Sequence, residues 1–159
     1  MRLYWRPQTR ASRVEWVLAE LGKPVERVLA PDSGRVERFE LHPLGRVPVL
    51  EDDAGVRRFE SVALCTWLAD RRPERGLIPP AGSSERATHD QWLMLAVTEV
   101  EPQLDLICRN PSIVSWATDR LAEPLRASSA PWRDGLRTYR ERLLQRPTAR
   151  RLFTEAPPC

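Results

Sequence analysis

The sequence predicts an α/β domain followed by an all-helical one, on three observations. Short β-branched runs alternate with apolar stripes of helical spacing over residues 1–70. A proline- and glycine-rich stretch from Arg72 to Gly82 then interrupts every pattern. Beyond it, the apolar residues recur only at helical spacing. The expected organisation is a first domain over 1–75, a linker over 76–83 and a helical domain over 84–159.

Each element has its own local cause. Arg2 to Trp5 is a short strand. Val14, Val17, Leu18 and Leu21 lie on one helical face that runs up to Gly22, a residue suited to ending a helix because it enters left-handed backbone freely. Val25 to Leu29 is a second strand, and residues 30–45 are a loop with a helical turn around Val36 to Leu41. Val47 to Glu51 and Val56 to Phe59 are strands joined by the Asp52-Asp53-Ala54-Gly55 turn. Ser61 opens a helix whose stripe is Val62, Cys65, Leu68 and Ala69. Past the linker, a long helix starts near Ser84 with Trp92, Leu95, Ala96, Val100 and Leu104 as its apolar face. Further helices are expected over 112–125, over 131–144 and after Pro147. No internal repeat is visible.

Composition narrows the function classes. At 159 residues, with 42% hydrophobic and 30% charged, the chain is long enough to bury a real core and has an ordinary globular make-up. No apolar run approaches the ~20 residues that span a bilayer, and the start MRLYWRPQTR lacks the apolar core of a signal peptide, so a cytoplasmic protein is expected. The 25 basic and 22 acidic residues interleave, which argues against a nucleic-acid-binding stripe. Lys23 is the only lysine, an arginine bias that fits a GC-rich genome better than phosphate recognition. Cys65, Cys108 and Cys159 are scattered without metal-ligand spacing, so neither a disulfide framework nor a zinc site is expected. Cys65 reads as a small core residue and Cys159, in an EAPPC tail, as exposed and oxidisable. His42, in the HPLGR turn, and His89, opening a helix, have no evident catalytic partner and are read as structural.

Leu41 to Leu64, LHPLGRVPVLEDDAGVRRFESVAL, carries the functional signal. Pro48 sits inside a β-branched run where proline, having no N–H, is rare. Two explanations stand: a trans proline opening a strand, favoured by frequency because cis is about one in twenty X-Pro bonds, or a cis Val47-Pro48 bond that turns the Val47 N–H and C=O outward to pair with an extended ligand. Glu60-Ser61 precedes a helix, whose first N–H groups and partial positive charge suit a carboxylate while the Glu60 carboxylate suits an ammonium. Together they fit a zwitterionic amino-acid head. Taken singly, Ser61 as a cap and Glu60 as a solvated side chain explain the same residues.

The segment resembles the glutathione-binding half of the glutathione S-transferase family, whose thioredoxin-like domain (βαβ-ββα) carries a cis-proline and a Glu-Ser pair. The resemblance continues through RPERGLIPP and SSERATHDQWLMLAVTEVEPQL and resumes at LRTYRERLLQRPTARRLF. It implies that Val47, beside Pro48, pairs with the cysteinyl part of glutathione and that Glu60 and Ser61 hold its γ-glutamyl head. The sulfur would then lie beside the turn between the first strand and the first helix, where a helix N-terminus and a nearby donor or cation lower a thiol pKa from about 8.5. It also implies glutathione as co-substrate, no metal, a small electrophile as second substrate and a homodimer.

Two departures from the family bear on chemistry. The family places tyrosine, serine or cysteine in the turn where this chain has Gln8-Thr9-Arg10-Ala11-Ser12. Aligned without gaps, Arg10 falls at the cysteine of beta-type members and Thr9 within the serine-containing stretch of zeta and delta types. Thr9 is a candidate hydroxyl donor to the thiolate and Arg10 a candidate cation beside it, with a solvated arginine as the equal alternative. Ser12 is a third candidate and is read as the N-cap of the helix. The absence of cysteine from this turn argues against thioredoxin-like redox work. The helical half is shorter by what resembles a helical hairpin and lacks the Phe-Thr-Ala-Asp capping segment. Trp92, Leu95, Glu99 and Trp116 are candidates for the remaining electrophile pocket, although aromatics at helical spacing are usually core. The expected function is glutathione-dependent conjugation or isomerisation of a small electrophile; the alternative is a non-catalytic binding or assembly module of the same fold.

Overall fold

The computed structural model describes residues 1–109 and Gln145. The helices expected over 112–125, over 131–144 and after Pro147 lie outside the described residues, as do Trp116 and Cys159. The chain forms two compact units, residues 1–83 and 84–159.

In the first unit, β1 (Arg2–Trp5), α1 (Ala11–Glu20), β2 (Glu26–Leu29), α2 (Val36–Leu41), β3 (Val49–Glu51), β4 (Arg57–Phe59) and α3 (Ser61–Asp70) follow in order. The strands form one sheet in the order β2-β1-β3-β4, with β1 parallel to β2 and both other pairings antiparallel. This is the predicted thioredoxin-like α/β architecture. The strand starts differ from expectation by small amounts: β2 begins at Glu26, β4 at Arg57 and β3 at Val49. Val47 and Pro48 stand outside β3 because their shared bond is cis and turns the backbone out of the ladder.

Alternation along the strands separates two faces. Leu3 and Leu50 are register partners, both fully buried, and with Val14, Leu18, Leu21, Leu64 and Leu68 they form the core between the sheet and the packed pair α1 and α3. On the other face, the rung Glu26, Arg2, Glu51, Arg57 crosses all four strands with alternating sign. Arg2 bonds both Glu26 and Glu51, and Arg57 donates to Glu51 at 2.8 Å. Opposite charges directly across a sheet are favourable, so this rung holds register on the polar face. At the edge, Arg58 donates to Asp52 at 2.6 Å and covers the Trp67 ring at 4.5 Å, shielding α3 where the sheet ends.

Gly22 closes α1 as expected. It has φ +63°, its N–H donates to the Ala19 carbonyl and the Lys23 N–H to the Leu18 carbonyl, the paired bonds of a left-handed helix end. Ser12, in contrast, is not the N-cap. The cap position is Arg10, and Ser12 lies in the first turn, its hydroxyl donating to the Thr9 carbonyl at 3.2 Å. Thr9 does the local work instead, because its hydroxyl both donates to the Arg6 carbonyl at 2.7 Å and accepts from the Ala11 N–H at 3.4 Å.

In the second unit, α4 (Ser84–Leu95) and α5 (Glu101–Arg109) are joined by a π-helical turn over Ala96–Val100. The long helix predicted from Ser84 is thus interrupted, and His89 sits inside α4 rather than at its start. The expected apolar face is not a buried one: Trp92, Leu95 and Leu104 are exposed. No helix among the described residues is long and apolar enough to cross a membrane.

Candidate functional site

Sheet register brings the candidate residues of the first unit to one end of the sheet. Tyr4 pairs with Val49 and Val49 with Phe59, so the Val47-Pro48 turn that enters β3 lies at the end of the sheet where β1 finishes and where β4 gives way to Glu60-Ser61. Parallel pairing of Trp5 with Leu29 brings the segment after β2 to the same end, where Arg6 forms an ion pair with Asp32. The turn before α1, the cis-proline turn before β3 and the start of α3 therefore meet there. In α/β sheets this is the end at which ligands are received.

The Val47-Pro48 turn is held from behind. Arg38 is buried on α2, its guanidinium donating to the Gly45 carbonyl at 2.9 Å and to the Pro31 carbonyl. Burial and nearby Arg6 lower its pKa, consistent with a cation used as a fixed donor rather than a solvated charge. His42 is also buried, and its Nδ1 accepts the Leu44 N–H at 2.9 Å. Gly45, at φ +57°, donates its N–H to the His42 carbonyl at 2.8 Å. A Cβ there would press against Arg38 and Phe39 at 3.3 to 3.4 Å, so this tight turn needs glycine for both space and conformation.

Glu60 has φ 70° and ψ 106°, a conformation that residues with side chains rarely adopt, and it is the N-cap of α3 without a side-chain capping bond. The residue is exposed while its carbonyl accepts the Leu64 N–H at 2.9 Å. Ser61, the first residue of α3, is buried. A carboxylate on strained backbone, beside a hydroxyl at a helix start, is suited to an ammonium and a carboxylate of one small ligand.

The α1 N-terminus is equally unusual. Its first turn holds no acidic residue and instead carries Arg10 at the cap and Arg13 one turn on. Burial and the Arg10 charge lower the Arg13 pKa, partly offset by Cys65. Cations at this end oppose the helix dipole and cost stability, but they reinforce it toward a bound anion. Motif spacing does not single out Arg13; its one signal in the sequence is the missing acidic residue in a first helical turn. Gln8, at φ 56°, is the second side-chain-bearing residue with positive φ among the described residues, and it lies in this same turn.

Cys65 packs against the core, and burial raises its thiol to about 11, which keeps it protonated and unreactive at neutral pH. Trp92, Leu95 and Glu99 belong to the second unit, Glu99 within its π-helical turn. No group of three or more metal-binding side chains occurs among the described residues.

Residues 9–71 match the family described as glutathione S-transferase, N-terminal domain. The chain is 32% identical over 105 residues to glutathione S-transferase GstA of Escherichia coli O157:H7, a match covering 63% of this chain and 52% of that one. The solved structure described as a ternary complex of BphK, a bacterial GST, superposes with a TM-score of 0.65 at 28% identity, over 79% of this chain and 65% of that one. A transferase family member from Pseudomonas fluorescens, solved with two glutathione molecules bound, superposes at 0.54 and 25% identity, over 64% of this chain and 48% of that one. The chain spans about half the length of the curated relatives it matches.

Proposed function

We propose, from the match of residues 9–71 to the glutathione S-transferase N-terminal domain and from the similarity to members of that family, that the chain binds glutathione at the sheet end formed by Val47, Pro48, Glu60 and Ser61 and readies the thiol for attack on a small electrophile. The convergence of the cis Val47-Pro48 turn with the Glu60-Ser61 helix start carries this reading. Val47 lies just outside the strand ladder, where its backbone N–H and C=O suit an extended peptide. Ser61 and the first N–H groups of α3 receive the γ-glutamyl carboxylate, and Glu60 receives its ammonium. The glutathione-bound relative from Pseudomonas fluorescens supports glutathione as the ligand.

The thiolate is stabilised chiefly by the α1 N-terminus and Arg10. The Thr9 hydroxyl proton is already donated to the Arg6 carbonyl, so Thr9 shapes the turn more than it addresses the sulfur. That commitment also favours a second reading, a binding or assembly module that holds glutathione without turnover. In either reading the ligand requires no metal, the assembly is a homodimer and the setting is cytoplasmic, points open to sedimentation and cell fractionation. Trp92, Leu95, Glu99 and Trp116 stay candidates for the electrophile side.

Calorimetric titration with glutathione tests the binding step. Wild type is expected to release measurable heat, and Ser61→Ala to lose a hydrogen bond to a charged group, ~1.5–3 kcal/mol or roughly tenfold or more in Kd. No heat from wild type overturns the reading. Turnover of an activated aryl chloride by the binding-competent protein separates the enzyme from the module.

A further inference from the structure

The two halves of the proposed binding edge are separated by the β3-β4 hairpin, and one side chain touches the segment adjoining each. His42 is 3% exposed. Its Nδ1 accepts the Leu44 N–H, which folds the loop leading to Val47-Pro48. Its ring packs on Phe59 at a centroid distance of 4.5 Å, and Phe59 immediately precedes Glu60. We propose that His42 is the positioning residue that fastens the cis-proline turn to the Glu60-Ser61 helix start, and that it does so only as the neutral imidazole. The proposal rests on the glutathione reading for its ligand, though not for its geometry.

The chemistry is specific to one ring nitrogen. An imidazole accepts through Nδ1 only while that nitrogen carries no proton; protonation turns it into a donor facing the Leu44 N–H, and the bond is lost. The charged groups around the ring come from three elements. Arg38 lies on α2, Arg46 on the following loop, and Glu60 at the junction of β4 and α3. Burial is the largest influence and opposes the proton, as do Arg46 and Arg38, while Glu60 favours it. A ligand ammonium seated on Glu60 neutralises the one group that favours protonation. Bound ligand and neutral His42 therefore support each other, and by linkage protonation weakens binding.

Two variants separate this role from ordinary packing. In His42→Asn, the side-chain carbonyl can accept the N–H two residues on, as asparagine does in turns, but it cannot titrate. His42→Leu fills space without an acceptor. The first measurement is made without ligand: the His42 ring and the Leu44 amide are followed by NMR as pH falls from neutrality. The Leu44 amide is expected to lose protection in step with ring protonation in wild type, to stay protected in His42→Asn and to exchange freely in His42→Leu at every pH. The second is glutathione affinity over the same range. Wild type is expected to weaken with the His42 titration, by at most about tenfold per pH unit for a single proton. His42→Asn, which keeps the turn bond but loses the ring contact with Phe59, should bind more weakly than wild type at neutral pH and lose that dependence, and His42→Leu should bind weakly throughout.

A Leu44 amide that ignores the ring's protonation, or the same acid loss of affinity in His42→Asn as in wild type, overturns the proposal. So does a ring that stays neutral until the whole protein unfolds. Absence of glutathione binding in all three proteins removes the ligand assignment, and the Leu44 amide still decides the role of His42.

Discussion

Arg10 and Thr9 are adjacent in sequence, yet the turn before α1 uses them differently. Thr9 spends its hydroxyl inside the turn, between the Arg6 carbonyl and the Ala11 N–H. Arg10 occupies the cap position and gives the helix end a cation where a carboxylate or hydroxyl normally sits. Arg10→Gln is therefore expected to raise the apparent pKa of bound glutathione thiol by about one unit, equivalent to ~1.4 kcal/mol. Thr9→Val should loosen the turn and lower stability with a smaller effect on the thiol. The ultraviolet absorbance of the thiolate, measured against pH in the complex, reads both; an unchanged value in Arg10→Gln removes Arg10 from the chemistry.

At the scale of elements, local composition governs the features that are legible in the chain. Gly22 ends α1 by entering left-handed backbone, and the helical turn at Val36 to Leu41 appears where expected. Gly22→Ala would meet only ordinary contact with Arg75 at 3.5 Å, so its cost is the left-handed backbone itself, ~1–2 kcal/mol in urea unfolding. A loss well below that would mean α1 can end another way. Elements whose limits depend on tertiary context are not legible in the same way. Ser12 has the residue type of a cap, but the carbonyl of Thr9 draws its hydroxyl into the helix. Val47 has the β propensity of a strand residue, while the cis bond at Pro48 keeps it out. The π-helical turn at Ala96–Val100 leaves no mark that a constant period could reveal. In the site, the Glu60-Ser61 pair is legible because both residues sit in one short motif. The roles of Arg38 and His42 are not, since the carbonyls and ring they engage are brought near only by the fold.

For the whole molecule, the depressed ionisations act in one direction. Asp52 is held below the usual carboxylate range by Arg58 first, then by the Val56 and Ala54 N–H groups. Glu51 is lowered by the Arg57 hydrogen bond and the charges of Arg57 and Arg2, and Asp53 by the chain's amino terminus. Each depressed carboxylate contributes stability fully above its unfolded value, about 4, and loses it as pH falls through the lower folded value. His42 is depressed too, chiefly by burial. For a histidine this means that the unfolded chain takes up the proton first, so stability is full above about 6.5 and declines as pH drops below that. Two successive acid windows are therefore expected in the urea midpoint, an upper one from His42 and a lower one from the carboxylates that order the polar face of the sheet. His42→Asn should flatten the upper window and leave the lower one. Glu51→Gln should shrink the lower one, more at low salt than at high salt because the Arg2-Glu51-Arg57 pairs are at the surface. An upper window unchanged in His42→Asn would assign it to another group and separate the molecule's acid sensitivity from its binding edge.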